Sequence, residues 1–135
     1  MKQVALVILA AALIAAAPSP NRFGESCRGF EAIRIGNGQP RTLPYRLDFS
    51  VDLTLKSYCY AYCRPDQTYP VADPVSSPLK LADLDQGGEV RRIAFDRKTA
   101  RLVDYQVFET PIGKIERRAN ADCVLTAFHS MEQAR

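Results

Sequence analysis

Residues 45–56 read Tyr-Arg-Leu-Asp-Phe-Ser-Val-Asp-Leu-Thr-Leu-Lys. Apolar side chains take Tyr45, Leu47, Phe49, Val51, Leu53 and Leu55, and polar ones take every position between them. A period of two over this length predicts a strand with one buried and one wet face. The alternation then runs on. Ser57, Cys59, Ala61 and Cys63 continue the same apolar face, and Tyr58, Tyr60 and Tyr62 take the opposite one. A single strand would thus supply the longest piece of core and two of the four cysteines.

The flanking sequence repeats the pattern in shorter pieces. Cys27 to Ile35 carries Phe30, Ala32, Ile33 and Ile35 and predicts a first strand, with residues 17–26 as a polar lead-in. Gly36-Asn37-Gly38-Gln39-Pro40 is a turn, because Gly and Asn tolerate positive φ. Pro65, Pro70, Pro74 and Pro78 exclude a central strand or a helix from Arg64 to Pro78, leaving Thr68 to Val71 as a short edge segment. Leu79, Leu81 and Leu84 open the next element, which stops at Asp85-Gln86-Gly87-Gly88. Glu89–Phe95 and Leu102–Glu109 predict a hairpin across Asp96–Arg101. Ala100 stands there where a left-handed glycine is expected, at a cost of roughly 1 kcal/mol.

After the turn at Thr110–Lys114, residues Ile115 to Phe128 form a last strand, with Ala119, Ala121, Cys123 and Leu125 on one face. Residues 129–135 read as a flexible tail. The expected fold is all-β: a single domain over residues 27–128, an antiparallel meander of six to seven strands. It closes as a small sandwich or a partly open barrel, stapled by disulfides.

The first sixteen residues are of another kind. Lys2 precedes an unbroken run of Val, Ala, Leu and Ile from Val4 to Ala17, followed by Pro18-Ser19-Pro20. That is the pattern of a secretory signal peptide, cleaved after Ala16, and the run is shorter than the ~20 residues of a membrane-spanning helix. Cleavage would leave no membrane span. It removes one of the 18 basic residues and none of the 15 acids, so the formal charge falls from +3 to +2. That is too near neutral for a nucleic-acid footprint. The expected location is the periplasm or the exterior.

Export implies an oxidising compartment, where four cysteines make disulfides by default. Three pairings are possible. In a straight strand the Cα atoms of Cys59 and Cys63 would lie ~13 Å apart, beyond bridging range. Arg64-Pro65-Asp66 marks a strand end, however, and a turn beginning near Tyr58 would allow a local Cys59–Cys63 bridge. Cys27 and Cys123 would then join the first and last strands. Cys59-x3-Cys63 is a poor zinc or thioredoxin-type motif, since His129 is the sole histidine and the intervening residues number three. Neither a metal nor a cofactor is expected.

No catalytic constellation emerges. Asp48 and Asp52, at i and i+4 on a strand, are too far apart for a glycosidase pair and read as a solvated face. His129 lacks a nucleophile motif. Arg91, Arg92, Arg97, Lys98, Arg101, Lys114, Arg117 and Arg118 form either a basic stripe for an anionic ligand or, preferably, hairpin outer faces interleaved with acids. Tyr58, Tyr60 and Tyr62, near Tyr45 and Tyr69, are the candidate binding residues. They make either an exposed aromatic surface for a protein or glycan or a layer covered by the Pro-rich loop.

Tyr58-Cys59…Cys63, then Ile93-Ala94-Phe95-Asp96-Arg97-Lys98-Thr99-Ala100-Arg101-Leu102, and the late Cys123 resemble small exported proteins of alphaproteobacteria with no assigned function. The likeness spans most of the chain after residue 16. Its members usually carry Gly where Ala100 stands. The resemblance implies export and a β-rich fold, and it transfers no site. The expected function is a non-enzymatic binding or interaction module for a protein or a cell-envelope component. The alternative is a carrier of small apolar ligands with a lipocalin-like half-barrel pocket.

Overall fold

The computed structural model describes residues 19–131, so the expected signal peptide and the last four residues lie outside it. Among the described residues eight strands form: β1 Arg22–Ile35, β2 Arg41–Asp52, β3 Ser57–Tyr60, β4 Thr68–Pro70, β5 Leu79–Gln86, β6 Glu89–Asp96, β7 Arg101–Thr110 and β8 Gly113–Thr126. They make one antiparallel sheet in the order β4-β3-β2-β1-β8-β7-β6-β5. Neighbours follow one another in sequence except at β1 and β8, the two longest strands, which pair from Gly24↔Thr126 to Ile35↔Ile115.

The sheet curls until its ends nearly meet. The segment after β4 bridges the gap in both directions. The Val71 amide donates to the Lys56 carbonyl at 2.9 Å, and the amides of Ala72 and Asp73 donate to the carbonyls of Leu81 and Lys80 at 3.1 and 3.0 Å. The all-β meander expected from the sequence is therefore a nearly closed barrel.

Inward side chains alternate with outward ones along each strand, as closure requires. Phe23, Phe49, Val51, Tyr58, Leu81, Ile93, Phe95 and Leu102 fill one half of the interior. The Phe95 ring lies 5.5 Å edge-on to Phe49 and 6.0 Å from Phe23.

The long strand read through Lys56 is in fact two strands, which raises the count to eight. Asp52 makes the reversal. Its Oδ1 accepts from the amides of Thr54 and Leu55, both at 3.0 Å, and its Oδ2 accepts from Arg22 Nε at 3.0 Å. Such side-chain-to-backbone bonds start a turn without Gly or Pro. Leu53 and Leu55 kept the alternation going through the turn and concealed it. Asp52 is consequently buried, and the solvated-face reading fails for it. Asp48 is also engaged, by Ser26, Arg28 and Arg46 at 2.8–3.0 Å. Desolvation works to raise its pKa, but these donors outweigh it and hold the carboxyl at about 2. Asp52→Ala is expected to cost about 2 kcal/mol, and Asp52→Asn less than half of that, because the amide oxygen still accepts both turn bonds. Urea midpoints of the two variants test this.

β1 starts at Arg22, inside the expected lead-in of residues 17–26. Phe23, Glu25 and Cys27 all face inward, so the period of two begins there, masked by a glutamate on the buried side. At the other end, the described part of the expected tail packs down. The His129 amide donates to Ser50 Oγ at 3.0 Å, and Met131 and Phe128 cover the Cys59–Cys63 bridge on the outer surface. Ser50 and Cys59 face each other across β2 and β3 and leave a surface for the tail to cover. Leu125, paired with Glu25, holds the inward phase but is exposed at the rim.

β3 pairs with β2 only from Phe49 to Asp52, so the first half of β2 is an edge. The Asp48 carbonyl accepts from Ala61 on that side, and even-numbered residues therefore direct their backbone to the open edge. Pro44 is one of them. Its missing N–H breaks no ladder bond and blunts the edge against strand addition. Ala100 has φ +54°, in the left-handed region as expected.

Candidate functional site

The three candidate tyrosines do not share a face. Val51↔Tyr58 and Phe49↔Tyr60 are cross-strand pairs, so Tyr58 and Tyr60 point into the barrel. Tyr58 is fully in the core, and the rings of Tyr58, Tyr60 and Tyr69 form a triangle with centroids 5.3–5.6 Å apart. Burial pushes the Tyr58 phenol far above its ordinary range, with the hydrogen bond to Tyr60 adding to it. After Tyr60 the backbone leaves the strand: Ala61 has φ +49° and Cys63 φ +62°. Tyr62 is thereby thrown outward and is 80% exposed.

Beside the tyrosine triangle lies a layer of ionised groups on the inner face. Arg91 donates Nε and Nη2 to the two oxygens of Asp104 at 3.2 and 3.0 Å, and the Tyr45 hydroxyl donates to Asp104 Oδ2 at 2.8 Å. Burial, then the Asp104 charge, drives the Tyr45 phenol far upward. Arg117 grips Glu31 through both oxygens at 2.8–3.1 Å. Register explains the pairing. Glu31 and Asp104 both lie opposite Ala119, while Arg117 and Arg91 both lie opposite Gln106, one inward step along. Each acid thus meets an arginine diagonally across a strand. Donors and acceptors satisfy one another, so this layer fixes the barrel's register more than it offers a site.

The basic residues considered as a stripe are accordingly dispersed. Arg91 and Arg117 point inward, Arg92 meets Asp83 and Asp85, Arg101 meets Asp122, and Arg118 lies over the Tyr105 ring.

Tyr62 is presented differently. The Cys59–Cys63 bridge, with Cα atoms 4.8 Å apart, brackets it in a closed loop, and the Cys63 amide donates to the Tyr60 carbonyl at 2.9 Å. Its ring stands edge-on to His129 at 5.7 Å. Beneath them opens a cleft of about 330 Å³ lined by Ser26, Arg46, Asp48, Tyr62 and His129. Within it the Ser26 hydroxyl and the Arg46 guanidinium already donate to the Asp48 carboxylate, and the Tyr62 ring and the His129 imidazole stand beside them. All four cysteine sulfurs are committed to the two bridges.

The sequence marks Tyr62 as a candidate binding residue, either exposed or covered, and offers His129 only as a base without a nucleophile at the start of the expected tail. The fold and the cleft define a disulfide-stapled meander barrel with an aromatic surface cleft. Compared with protein families, curated proteins and solved structures, the chain matches none.

Proposed function

We propose that the chain is a non-enzymatic binding module, exported to the periplasm or beyond, whose partner is a protein or a cell-envelope component. The observation that carries this reading is Tyr62, held nearly fully exposed by a local disulfide at the lip of a mixed polar and aromatic cleft. A loop closed in that way loses less backbone entropy on contact, and tyrosines are common anchors of interfaces. Both bridges support an oxidising location. Among the described residues no helix is long and apolar enough to cross a membrane.

The test is retention of envelope proteins and lipids by the tagged protein, with Tyr62→Ala as its pair. The variant touches an exposed ring, so its stability should change by no more than ~0.5 kcal/mol. A species retained by the parent and weakened about thirtyfold in the variant, the effect of a hot-spot truncation, supports the reading. Identical retention by both proteins sinks it. A second reading, carriage of a small apolar ligand, is favoured by a separate cavity at one end of the barrel.

A further inference from the structure

A cavity of about 310 Å³ opens at the end of the barrel where β1 begins and β8 finishes. Phe23, Phe95, Cys123 and Leu125 give it an apolar wall, and Glu25 and Arg97 are its charged groups. Glu25 is 5% exposed, and its Oε2 has no hydrogen-bond partner among the described residues. Arg97 does not supply one. Its guanidinium lies over the Phe23 ring at 4.4 Å and donates to the Pro20 carbonyl at 2.7 Å.

We propose that this cavity binds a small organic cation, an ammonium group carried on an apolar body. The inference rests on the carrier reading and names the class of its ligand. A buried carboxylate oxygen without a donor is costly in any fold. An ammonium ion supplies both the missing donor and the opposite charge. Arg97 is the opposing charge in the cavity, but its guanidinium is engaged by the Pro20 carbonyl and the Phe23 ring. An anionic ligand would meet the Glu25 charge, and a purely apolar one would leave Oε2 unpaired. The volume lies at the lower end of ligand pockets and, at ~30 Å³ per water-sized group, holds a molecule of about ten non-hydrogen atoms. Burial raises the Glu25 pKa, and the Arg97 charge only partly opposes this. Affinity for the cation is therefore full above that raised value and is lost as pH falls through it.

The experiment is calorimetric titration of the purified protein with phenethylammonium chloride, phenethyl alcohol and 3-phenylpropionate at pH 7, repeated with Glu25→Gln. The expected result is saturable binding of the ammonium, weakened at least tenfold by the substitution, and no binding of the carboxylate. Glu25→Gln should melt no lower than the parent, since it removes an unpaired charge, so its loss of binding does not reflect unfolding. Equal binding of the alcohol and the ammonium by both proteins keeps the carrier reading and overturns the cation. Binding of none of the three probes overturns both.

Discussion

Phe49→Asp is expected to abolish the folded state. Phe49 is 1% exposed and packs edge-on against Phe95 in the filled half of the barrel. Removing the ring alone leaves a cavity that costs about 3–5 kcal/mol. The new carboxylate would be buried in the apolar cluster with no basic residue in it, adding several kcal/mol more. Together these approach or exceed the ~5–15 kcal/mol by which a domain is stable. Val51→Asp, at 0% exposure on the same face, should behave alike. Arg46→Ala, on the outer face, removes an exposed ion pair worth ~1 kcal/mol at most. Far-UV circular dichroism and a urea titration of the three variants give the answer. A cooperative Phe49→Asp transition within ~1 kcal/mol of the parent would show that the inward face of β2 has been misassigned.

That face was legible because its residues obey a single period. Tyr45, Leu47, Phe49 and Val51 need no partner to be recognised as one side of a strand. The hairpin of β6 and β7 was legible on other grounds, two apolar runs either side of the turn at Asp96–Arg101. Where β2 ends was not legible. Asp52 closes its turn with carboxylate-to-amide bonds, and the leucines beyond it happen to keep the strand phase. The start of β1 was concealed by the opposite fault: Glu25 occupies an inward position and breaks the hydrophobic pattern of a strand that is nonetheless there.

The sites follow the same division. Tyr58, Tyr60 and Tyr62 alternate perfectly, yet the left-handed backbone of Ala61 parts Tyr62 from the other two. A period counts residues and is blind to a change in backbone direction. The pairings Arg91–Asp104 and Arg117–Glu31 depend on the register between strands distant in sequence. Nothing local to those residues announces them. The Glu25 cavity needs the start of β1, the β6–β7 turn and the end of β8 brought together before it exists. Its one local signal is a glutamate in phase with Phe23 and Cys27, a polar residue where a core residue belongs.

Loss of the Cys27–Cys123 bridge is expected to destabilise the protein about twice as much as loss of Cys59–Cys63. Cys27 and Cys123 are direct cross-strand partners on β1 and β8, separated by 96 residues. Cross-linking a loop of that length removes about 4.7 kcal/mol of chain entropy from the unfolded state. The Cys59–Cys63 loop spans a sequence separation of 4, for which the same relation gives about 2 kcal/mol. The long bridge also acts where the meander is joined non-sequentially. The other strand pairs are closed by short connections, whereas β1 and β8 must find each other across the whole chain. Alanine is the better replacement, because both Cys27 and Cys59 are fully buried and a serine hydroxyl would add a desolvation cost of its own. At roughly 4 °C per kcal/mol for a domain of this size, Cys27→Ala/Cys123→Ala should melt near 20 °C below the parent and Cys59→Ala/Cys63→Ala near 8 °C below it. The short bridge has a second readout. Its loss frees the loop that presents Tyr62, so partner retention should weaken out of proportion to the change in melting temperature. Equal shifts for the two double variants would mean that the pairing of β1 with β8 already persists in the unfolded chain.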